Sequence, residues 1–246
     1  METKGYIDIH SHILWGLDDG AATREDMIAM LTDAYEDGAR ALCLTSHFEP
    51  ENFAYDVETM RARFDEAKLY AEENLKGLEL YLGNELSIRH DGVECLRQGS
   101  CLSLAGGRYV LIDFFGLSEY AQLKRGVENF MCAGYVPIVA HVERYAFMQG
   151  KLREIAELSR EGVLFQVNSN SLMKSERNSR SRRMAEKLLA RGLADFVASD
   201  AHDGRVRPPK LSAYRELVIK RYGADYADLL FYTNPRAVLH NKSIQV

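Results

Sequence analysis

The sequence lacks the patterns by which cysteine chemistry is usually recognised. Its four cysteines, Cys43, Cys95, Cys101 and Cys132, include no C-x-x-C pair, which argues against a zinc ribbon or a thioredoxin-type site. None of them is followed six residues later by an arginine, so the cysteine-dependent phosphatase mechanism is excluded. A disulfide framework is not expected in a chain this long for which no export signal is predicted. We interpret all four cysteines as structural thiols.

Long apolar runs and an excess of basic residues are absent as well. The first residues do not combine a basic start with an apolar stretch, so no signal peptide is predicted. No run approaches the roughly 18 apolar residues of a membrane span. The net charge of −5 gives no general attraction to nucleic acid. We therefore expect a cytoplasmic protein that neither spans a membrane nor binds nucleic acid.

Short apolar runs alternate with amphipathic stretches along the whole chain, which predicts βα units around a parallel sheet. No long linker interrupts the 246 residues, so we predict one domain over residues 1–246. The predicted strands cover residues 6–9, 41–45, 78–82, 109–112, 136–140, 163–167 and 196–198. One predicted helix lies between an N-cap at Thr23 and Gly38, and the others cover residues 58–75, 119–133, 151–161, 176–191 and 211–221.

Histidines and carboxylates stand at the ends of six of the seven predicted strands. His10 and His12 end the first strand, and both imidazoles can reach one ion because side chains two apart on a strand share a face. The others are Asp19 in the D-D-G turn after the first strand, His47 after the second, Glu85 after the third, Asp113 after the fourth, His141 after the fifth, and Asp200 and His202 after the last. Barrel enzymes build their sites at this end of the strands, which favours a barrel, although open sheets bind ligands there too.

Each of these signals has an ordinary explanation when it is taken alone. An isolated H-x-H can arise by chance, D-D-G is a common turn, and an acid at the end of an apolar strand can belong to a buried ion pair. Their joint occurrence at one end of the predicted sheet favours a metal centre. Mixed imidazole and carboxylate ligands suit zinc, manganese or iron better than magnesium or calcium.

The motifs as a set resemble those of a known superfamily. They read D-I-H-S-H-I-L-W-G-L-D-D-G, T-S-H, G-N-E-L, Y-V-L-I-D-F, G-Y-V-P-I-V-A-H-V-E-R-Y and A-S-D-A-H-D-G-R-V-R-P-P. They are similar to the motifs of the polymerase-and-histidinol-phosphatase (PHP) superfamily, and in particular to its CpsB/CapC branch of bacterial tyrosine-protein phosphatases. The resemblance runs from about residue 6 to residue 209 and implies a distorted (β/α)7 barrel, an α/β fold with parallel strands and outer helices. It also implies three divalent metal ions, often manganese, with iron or zinc as alternatives.

The resemblance implies a role for each matching position. It assigns one metal to His10, His12, Glu85 and Asp200, a second to Glu85, Asp113 and His141, and a third to Asp19, His47 and His202. Arg144 and Arg207 match two family arginines that contact the phosphate. Asp113 departs from the family pattern, which usually has the longer glutamate there. The segment 167–172 is more polar than the corresponding family segment, which could alter the pocket wall.

The implied reaction is hydrolysis of phosphotyrosine on a protein, through a water that the metal ions activate. The implied partner is the phosphotyrosine-bearing tail of a bacterial tyrosine kinase that regulates capsule or exopolysaccharide synthesis. A histidinol-phosphate or other small phosphomonoester phosphatase is the nearest alternative. A polymerase-associated nuclease and a non-catalytic metal-binding adaptor are the more distant ones.

Two further features bear on the substrate. Phe48, Phe53 and Tyr55 flank a loop directly after His47 and could form an aromatic wall for a phosphotyrosine ring, with local packing as the alternative. The basic run 177–183 could bind an acidic or phosphorylated tail, with a solvated helix face as the alternative.

Overall fold

The strands of this computed structural model are all parallel and short. The structure describes residues 5–173 and 179–244. Within these residues the strands are β1 Tyr6–Asp8, β2 Ala39–Leu44, β3 His47–Phe48, β4 Glu79–Leu82, β5 Glu85–Ser87, β6 Tyr109–Asp113, β7 Val136–Val139, β8 Leu164–Asn168 and β9 Phe196–Ala198. All seven predicted strands are therefore confirmed, but the second and third are each broken into two pieces.

The breaks divide the strands into two hydrogen-bonded ladders, β1-β2-β4 and β3-β5-β6-β7-β8-β9. Backbone hydrogen bonds cross the breaks, from Gly83 N to the Leu44 carbonyl at 3.0 Å and from Glu85 N to the Ser46 carbonyl at 3.3 Å. The first and last strands also approach each other: the segment after β1 pairs with the segment after β9, where His12 N donates to the Ala201 carbonyl at 2.8 Å. The parallel strands thus curl into the distorted barrel that the motifs predicted.

The helices pack outside this sheet. Within the described residues they are α1 Arg24–Glu36, α2 Val57–Asn74, α3 Gly92–Gln98, α4 Tyr120–Cys132, α5 Leu152–Arg160, α6 Ser179–Ala190, α7 Ser212–Tyr222, α8 Ala224–Asp228 and α9 Asn234–Leu239. The predicted helices correspond to α1, α2, α4, α5, α6 and α7, although residues 176–178 of the predicted α6 lie outside the described part. The short α3, α8 and α9 were not predicted. None of the helices in residues 5–173 and 179–244 has both the length and the apolar character that a membrane crossing requires.

The barrel interior changes from apolar to polar along the strand direction. Alternate residues of one strand face the same side, and Leu164, Gln166 and Asn168 illustrate the change on β8. Leu164 belongs to an interior apolar cluster with residues such as Phe196 of β9 and Leu239 of α9. Gln166 and Asn168 are equally buried but polar. The carboxyl ends of the strands are therefore the end at which a polar site can form.

Candidate metal centre

The structure brings all nine predicted ligands together at the carboxyl end of the barrel. They form three overlapping groups, and within each group the ligand atoms lie within 4.8 Å of one another. The groups are His10, His12, Glu85 and Asp200; Glu85, Asp113 and His141; and His12, Asp19, His47 and His202. The groups reproduce the sets that the resemblance implied, with His12 as an additional member of the last one.

Glu85 lies at the centre of these groups and is fully buried. Its Oε1 is 2.8 Å from His141 Nε2, and its Oε2 is 3.1 Å from His10 Nε2 and 3.2 Å from His12 Nε2. His47 Nδ1 is also 3.1 Å from Oε2. The break between β4 and β5 precedes Glu85 directly, and β5 pairs with β3 so that Glu85 stands opposite His47. The two breaks in the sheet therefore deliver both side chains to the centre.

The nitrogen atoms at the centre need a positive charge between them. His10 Nε2 and His12 Nε2 are only 3.2 Å apart, and each is 3.5 Å from Asp200 Oδ1. Two imidazole nitrogens cannot both accept at this distance, so a shared proton or a cation must offset their repulsion. Imidazole nitrogens and carboxylate oxygens at these separations are a suitable donor set for zinc, manganese or iron. The residues present thus fit divalent metal ions.

The electrostatics of the buried acids lead to the same conclusion. Burial alone would raise the pKa of Glu85, but the neighbouring His10 and His47 hold it well below its usual range. Burial also opposes ionisation of Asp200, and again the imidazoles of His10 and His12 keep its pKa well below the usual range. Burial lowers the pKa of His141, yet the contact with Glu85 outweighs it and raises the pKa to about 9. The cluster is therefore built to hold compensating positive charge.

Asp18 orients two of the histidines, although the resemblance assigned a role to its neighbour Asp19 and not to it. Asp18 Oδ2 is 2.8 Å from His12 Nδ1 and accepts a hydrogen bond from the backbone N–H of His47 at 2.8 Å. A carboxylate on one ring nitrogen fixes the tautomer and directs the other nitrogen to the metal. The D-D-G turn carried the sequence signal for this role.

The end of β8 supports the centre, although it was the one predicted strand without a candidate ligand. Gln166 Oε1 is 3.1 Å from His10 Nδ1 and accepts a hydrogen bond from the His141 backbone N–H at 2.8 Å. Asn168 Nδ2 donates to Asp200 Oδ2 at 2.6 Å. Sequence reasoning missed Gln166 and noted Asn168 only as part of the polar segment 167–172. The available signal was two polar residues at alternate positions of an apolar strand.

A tyrosine and a backbone amide hold one oxygen of Asp113. Asp113 Oδ1 accepts hydrogen bonds from the Tyr145 hydroxyl at 2.9 Å and from the Phe115 backbone N–H at 2.8 Å. The Tyr145 hydroxyl itself accepts from the Phe114 N–H at 2.9 Å, and the ring is buried. The orientation of this shorter acid is thus fixed from outside the cluster. Sequence reasoning missed Tyr145 as well.

Two of the ligand positions have a strained backbone. His141 has a φ of 31° and Asp200 a φ of 53°, which is the left-handed region that side-chain-bearing residues rarely adopt. A hydrogen bond from Asp200 N to the His10 carbonyl at 2.9 Å helps to hold the second of them. Backbone strain of this kind is concentrated at functional sites.

Arg144 and Arg207, for which the resemblance implied a contact with phosphate, lie beside the ligand cluster. Arg144 Nη1 is 2.9 Å from Asp200 Oδ2, and Arg207 Nη1 is 3.4 Å from the same oxygen. Arg207 Nη2 is also 3.9 Å from Asp19 Oδ2. Both guanidinium groups line an open cleft of about 410 Å³ together with the ligand side chains. They are therefore available to a substrate that enters this cleft.

Two of the three aromatic residues after the second strand follow the alternative of local packing. Phe48 is buried in the core, and the Tyr55 hydroxyl donates to the His47 carbonyl at 2.5 Å. Phe53 does line the cleft, with its ring parallel to the His47 imidazole at a centroid distance of 5.6 Å. Phe115, which sequence reasoning missed, lines the same cleft.

The basic run is only partly available for binding. Arg177 lies outside the described residues, and Arg182 forms an ion pair with Glu186 at 2.8 Å. Arg180 and Arg183 are exposed on α6, and Ser181 between them lines the cleft. The beginning of α6 therefore borders the site.

Comparisons with known proteins agree with the motifs. The family model described as capsular polysaccharide synthesis, CpsB/CapC, matches residues 6–240. The chain is 33% identical over 242 residues to the tyrosine-protein phosphatase CpsB of Streptococcus pneumoniae, which covers 97% of this chain and 100% of that relative. It is 30% identical over 242 residues to the tyrosine-protein phosphatase CpsB of Streptococcus agalactiae, with the same shares covered.

A solved structure is similar over the same range. It is described as crystal structures of YwqE from Bacillus subtilis and CpsB from Streptococcus pneumoniae, unique metal-dependent tyrosine phosphatases. The TM-score is 0.86 at 27% identity, and the match covers 97% of this chain and 96% of that chain. The fold and the family predicted from the motifs are therefore both confirmed, and the chain belongs to the CpsB/CapC family of capsular polysaccharide synthesis proteins.

Proposed function

We propose that this protein is a metal-dependent protein-tyrosine phosphatase. The observation that carries the proposal is the convergence of nine histidine and carboxylate side chains around Glu85, in a cleft that Arg144 and Arg207 also line. The relatives support it independently, because tyrosine-protein phosphatases match this chain over nearly its whole length.

The proposed metal content is three divalent ions, with manganese favoured and iron or zinc as alternatives. The first ion is assigned to His10, His12, Glu85 and Asp200, the second to Glu85, Asp113 and His141, and the third to Asp19, His47 and His202, with His12 within reach. In this assignment Glu85 bridges the first two ions. The short separations of its two oxygens from four different imidazoles support that role.

Bound divalent ions would lower the pKa of a coordinated water and neutralise charge on the phosphoryl group. Arg144 and Arg207 would donate charge-assisted hydrogen bonds to the phosphoryl oxygens, a task for which the planar guanidinium fork is well suited. Each contacts Asp200 through Nη1, so each retains further N–H donors for a substrate. A phenolate leaving group has a pKa of about 10, so little protonation is needed at the departing oxygen.

The proposed substrate is the phosphotyrosine-bearing tail of a bacterial tyrosine kinase that controls capsule or exopolysaccharide synthesis, which implies a cytoplasmic location. Arg180 and Arg183 are exposed on α6, the helix whose Ser181 lines the cleft, and would attract an acidic tail, mainly by raising the association rate. Replacing both by glutamine should raise KM for a phosphorylated tail peptide by a few-fold at low salt and less at high salt. Equal KM values for the variant and the wild type at low salt would remove these two residues from the proposal.

The proposal is tested by metal analysis combined with phosphatase assays. Chelation should abolish turnover of a phosphotyrosine peptide, and manganese should restore it better than magnesium. Arg144→Ala and Arg207→Ala should each lower kcat/KM by about 10²–10³ while metal content stays at the wild-type level. Arg153→Ala is the matched control, since this arginine is exposed on α5 away from the cleft.

Two outcomes would contradict the proposal. Full activity in a protein shown to be free of metal would exclude the metal-dependent mechanism. A large preference for histidinol phosphate over every phosphotyrosine peptide would reassign the enzyme to small phosphomonoesters, with the metal centre unchanged.

A further inference from the structure

Phe115 is unusually exposed for a phenylalanine beside a buried polar centre. It has 69% of its surface exposed and belongs to the few large hydrophobic residues with exposed side chains among those that the structure describes. It also lines the cleft that contains the ligand cluster and the two arginines. Covering an exposed aromatic ring with an apolar group is favourable, because it removes apolar surface from water.

The backbone that carries this ring is held in place on both sides. The Phe115 N–H donates to Asp113 Oδ1 at 2.8 Å, so the ring is tied directly to a candidate metal ligand. The next residue, Gly116, has a φ of 85°, and the Arg89 guanidinium occupies the space that a Cβ at this position would need. Arg89 in turn lies 3.5 Å from Glu49, which lines the same cleft. The exposure of Phe115 is therefore built into the loop.

Phe53 adds a second ring to the lining of the cleft. It follows β3, and Phe115 follows β6, while the ladder order β3-β5-β6 leaves one strand between them. Arg144 follows β7, and Arg207 follows β9. The cleft lining thus combines aromatic rings and guanidinium groups with the ligand cluster. A ligand with a phosphoryl group at one end and a flat ring at the other matches this arrangement.

We propose that Phe53 and Phe115 determine specificity by contacting the aromatic ring of an aryl phosphomonoester, and that they disfavour alkyl phosphomonoesters that have no ring to offer. The inference rests on the proposed function and names two specificity-determining residues of the same site. Phe53 is stacked on His47, so it presents a fixed surface. The Phe115 ring is the more accessible of the two. Loss of an aromatic contact in such a site corresponds to about a tenfold change in affinity.

The test uses two ligands that share a headgroup and differ in the ring. Phenylphosphonate and methylphosphonate are titrated calorimetrically into the metal-loaded protein, so that the readout is binding and not turnover. The wild type should bind phenylphosphonate about tenfold more tightly, and Phe115→Ala and Phe53→Ala should each reduce this ratio toward one. Phe115→Tyr, which retains a ring, should keep the ratio. Leu69→Ala controls for loss of an exposed apolar side chain, since Leu69 lies on α2 with 58% of its surface exposed.

The outcomes separate this inference from the proposed function. Equal ratios in the wild type and both alanine variants would overturn the inference, and so would a parallel loss of affinity for both phosphonates, which would mark the rings as structural. A wild type that hydrolyses phosphotyrosine but does not distinguish the two phosphonates fails this inference alone. A wild type that distinguishes them but hydrolyses no phosphotyrosine supports the aryl site and contradicts the proposed activity.

Discussion

The two ends of the barrel treat buried polar groups in different ways. Near the amino-terminal ends of β1 and β2, the Asp37 carboxylate accepts hydrogen bonds from the Tyr6 hydroxyl, from the backbone N–H groups of Leu211 and Ser212, and from the Ser212 hydroxyl. These bonds measure between 2.6 and 3.0 Å, and every donor belongs to the chain itself. Asp37 thereby joins the end of α1 to the start of α7.

At the carboxyl end, like groups among the described residues face one another without a complementary group between them. Glu85 and Asp200 face several imidazoles, and the Nε2 atoms of His10 and His12 confront each other at 3.2 Å. Such a cluster costs stability unless a cation or protons occupy it. The comparison teaches that one end of the fold is built for stability and the other for binding, as the barrel architecture allows.

The largest effect that the comparison predicts is at Glu85. Glu85→Ala removes the acid shared by two ligand groups, so the protein should lose more than one metal ion per chain and at least about 10³-fold in kcat/KM. Elemental analysis and phosphotyrosine turnover measure both. Glu79→Ala is the control, because this acid lies on the preceding strand β4 and pairs with Arg236. A Glu85→Ala protein with full metal content would refute the bridge.

The opposite pattern is expected at Asp37. Asp37→Ala leaves the first amides of α7 without their acceptor and removes the shortest of the three hydrogen bonds of the buried Tyr6 hydroxyl, which should lower the free energy of unfolding by about 2–4 kcal/mol. Metal content and turnover per folded molecule should not change. Urea denaturation measures the loss, with the exposed neighbour Glu36→Ala as control. Unchanged stability, or a loss of metal, would break the proposed division between the two ends.

A smaller effect is expected from the residues that hold Asp113. Tyr145→Phe removes the hydroxyl that donates to Asp113 Oδ1, and should weaken manganese binding at one site by about 10–100-fold while the other sites stay filled. Tyr135→Phe, beside a separate cavity, is the control. Adding Asp113→Glu to Tyr145→Phe should recover part of the affinity, because the longer acid reaches the ion without help. Equal metal titrations for Tyr145→Phe and the wild type would contradict this positioning role.

What could be predicted from the sequence follows the same division. The candidate ligands at the carboxyl end of the barrel could be predicted because each follows a strand, and strand ends meet at one edge of a parallel sheet. The residues that hydrogen-bond to these ligands, such as Gln166, Asn168 and Tyr145, could not be predicted, since their roles depend on which loops meet in space. Elements as short as the two-residue strand β3 carry too little periodicity to be predicted.

Arg182 belongs to the basic run that was considered as a binding surface, but it is paired within its own helix. Its partner Glu186 lies four residues further along the same helix, a spacing at which opposite charges are neighbours. This spacing predicts the ion pair from the sequence, and it leaves Arg180 and Arg183 as the exposed described arginines of the basic run. The two alternatives for the aromatic residues after His47 could not be separated from the sequence. Residues close together in a loop need not face the same way, and only contacts in space distinguish Phe53 in the cleft from Phe48 in the core.

The last prediction concerns an exception at the amino-terminal end. Asp195 precedes β9, and its Oδ2 accepts a hydrogen bond from the Phe165 backbone N–H at 2.8 Å. Burial raises its pKa to about 7, far above the value of about 3.9 expected in the unfolded chain. The folded state therefore favours the neutral acid. This contribution is fully present below about pH 4 and is lost as the pH rises toward 7.

Asp195→Asn removes the titration and keeps a carbonyl oxygen as the acceptor for Phe165. Its free energy of unfolding relative to the wild type should therefore increase between pH 5 and pH 8, by about 1–2 kcal/mol after allowance for relaxation around the carboxyl group. Urea denaturation at the two pH values measures the change. Asp225→Asn, an exposed acid on α8, controls for the loss of a surface charge. If the stabilities of the two variants change with pH in the same way, burial does not hold Asp195 neutral. The chain's own hydrogen bonds then compensate the Asp195 carboxylate, as they do that of Asp37.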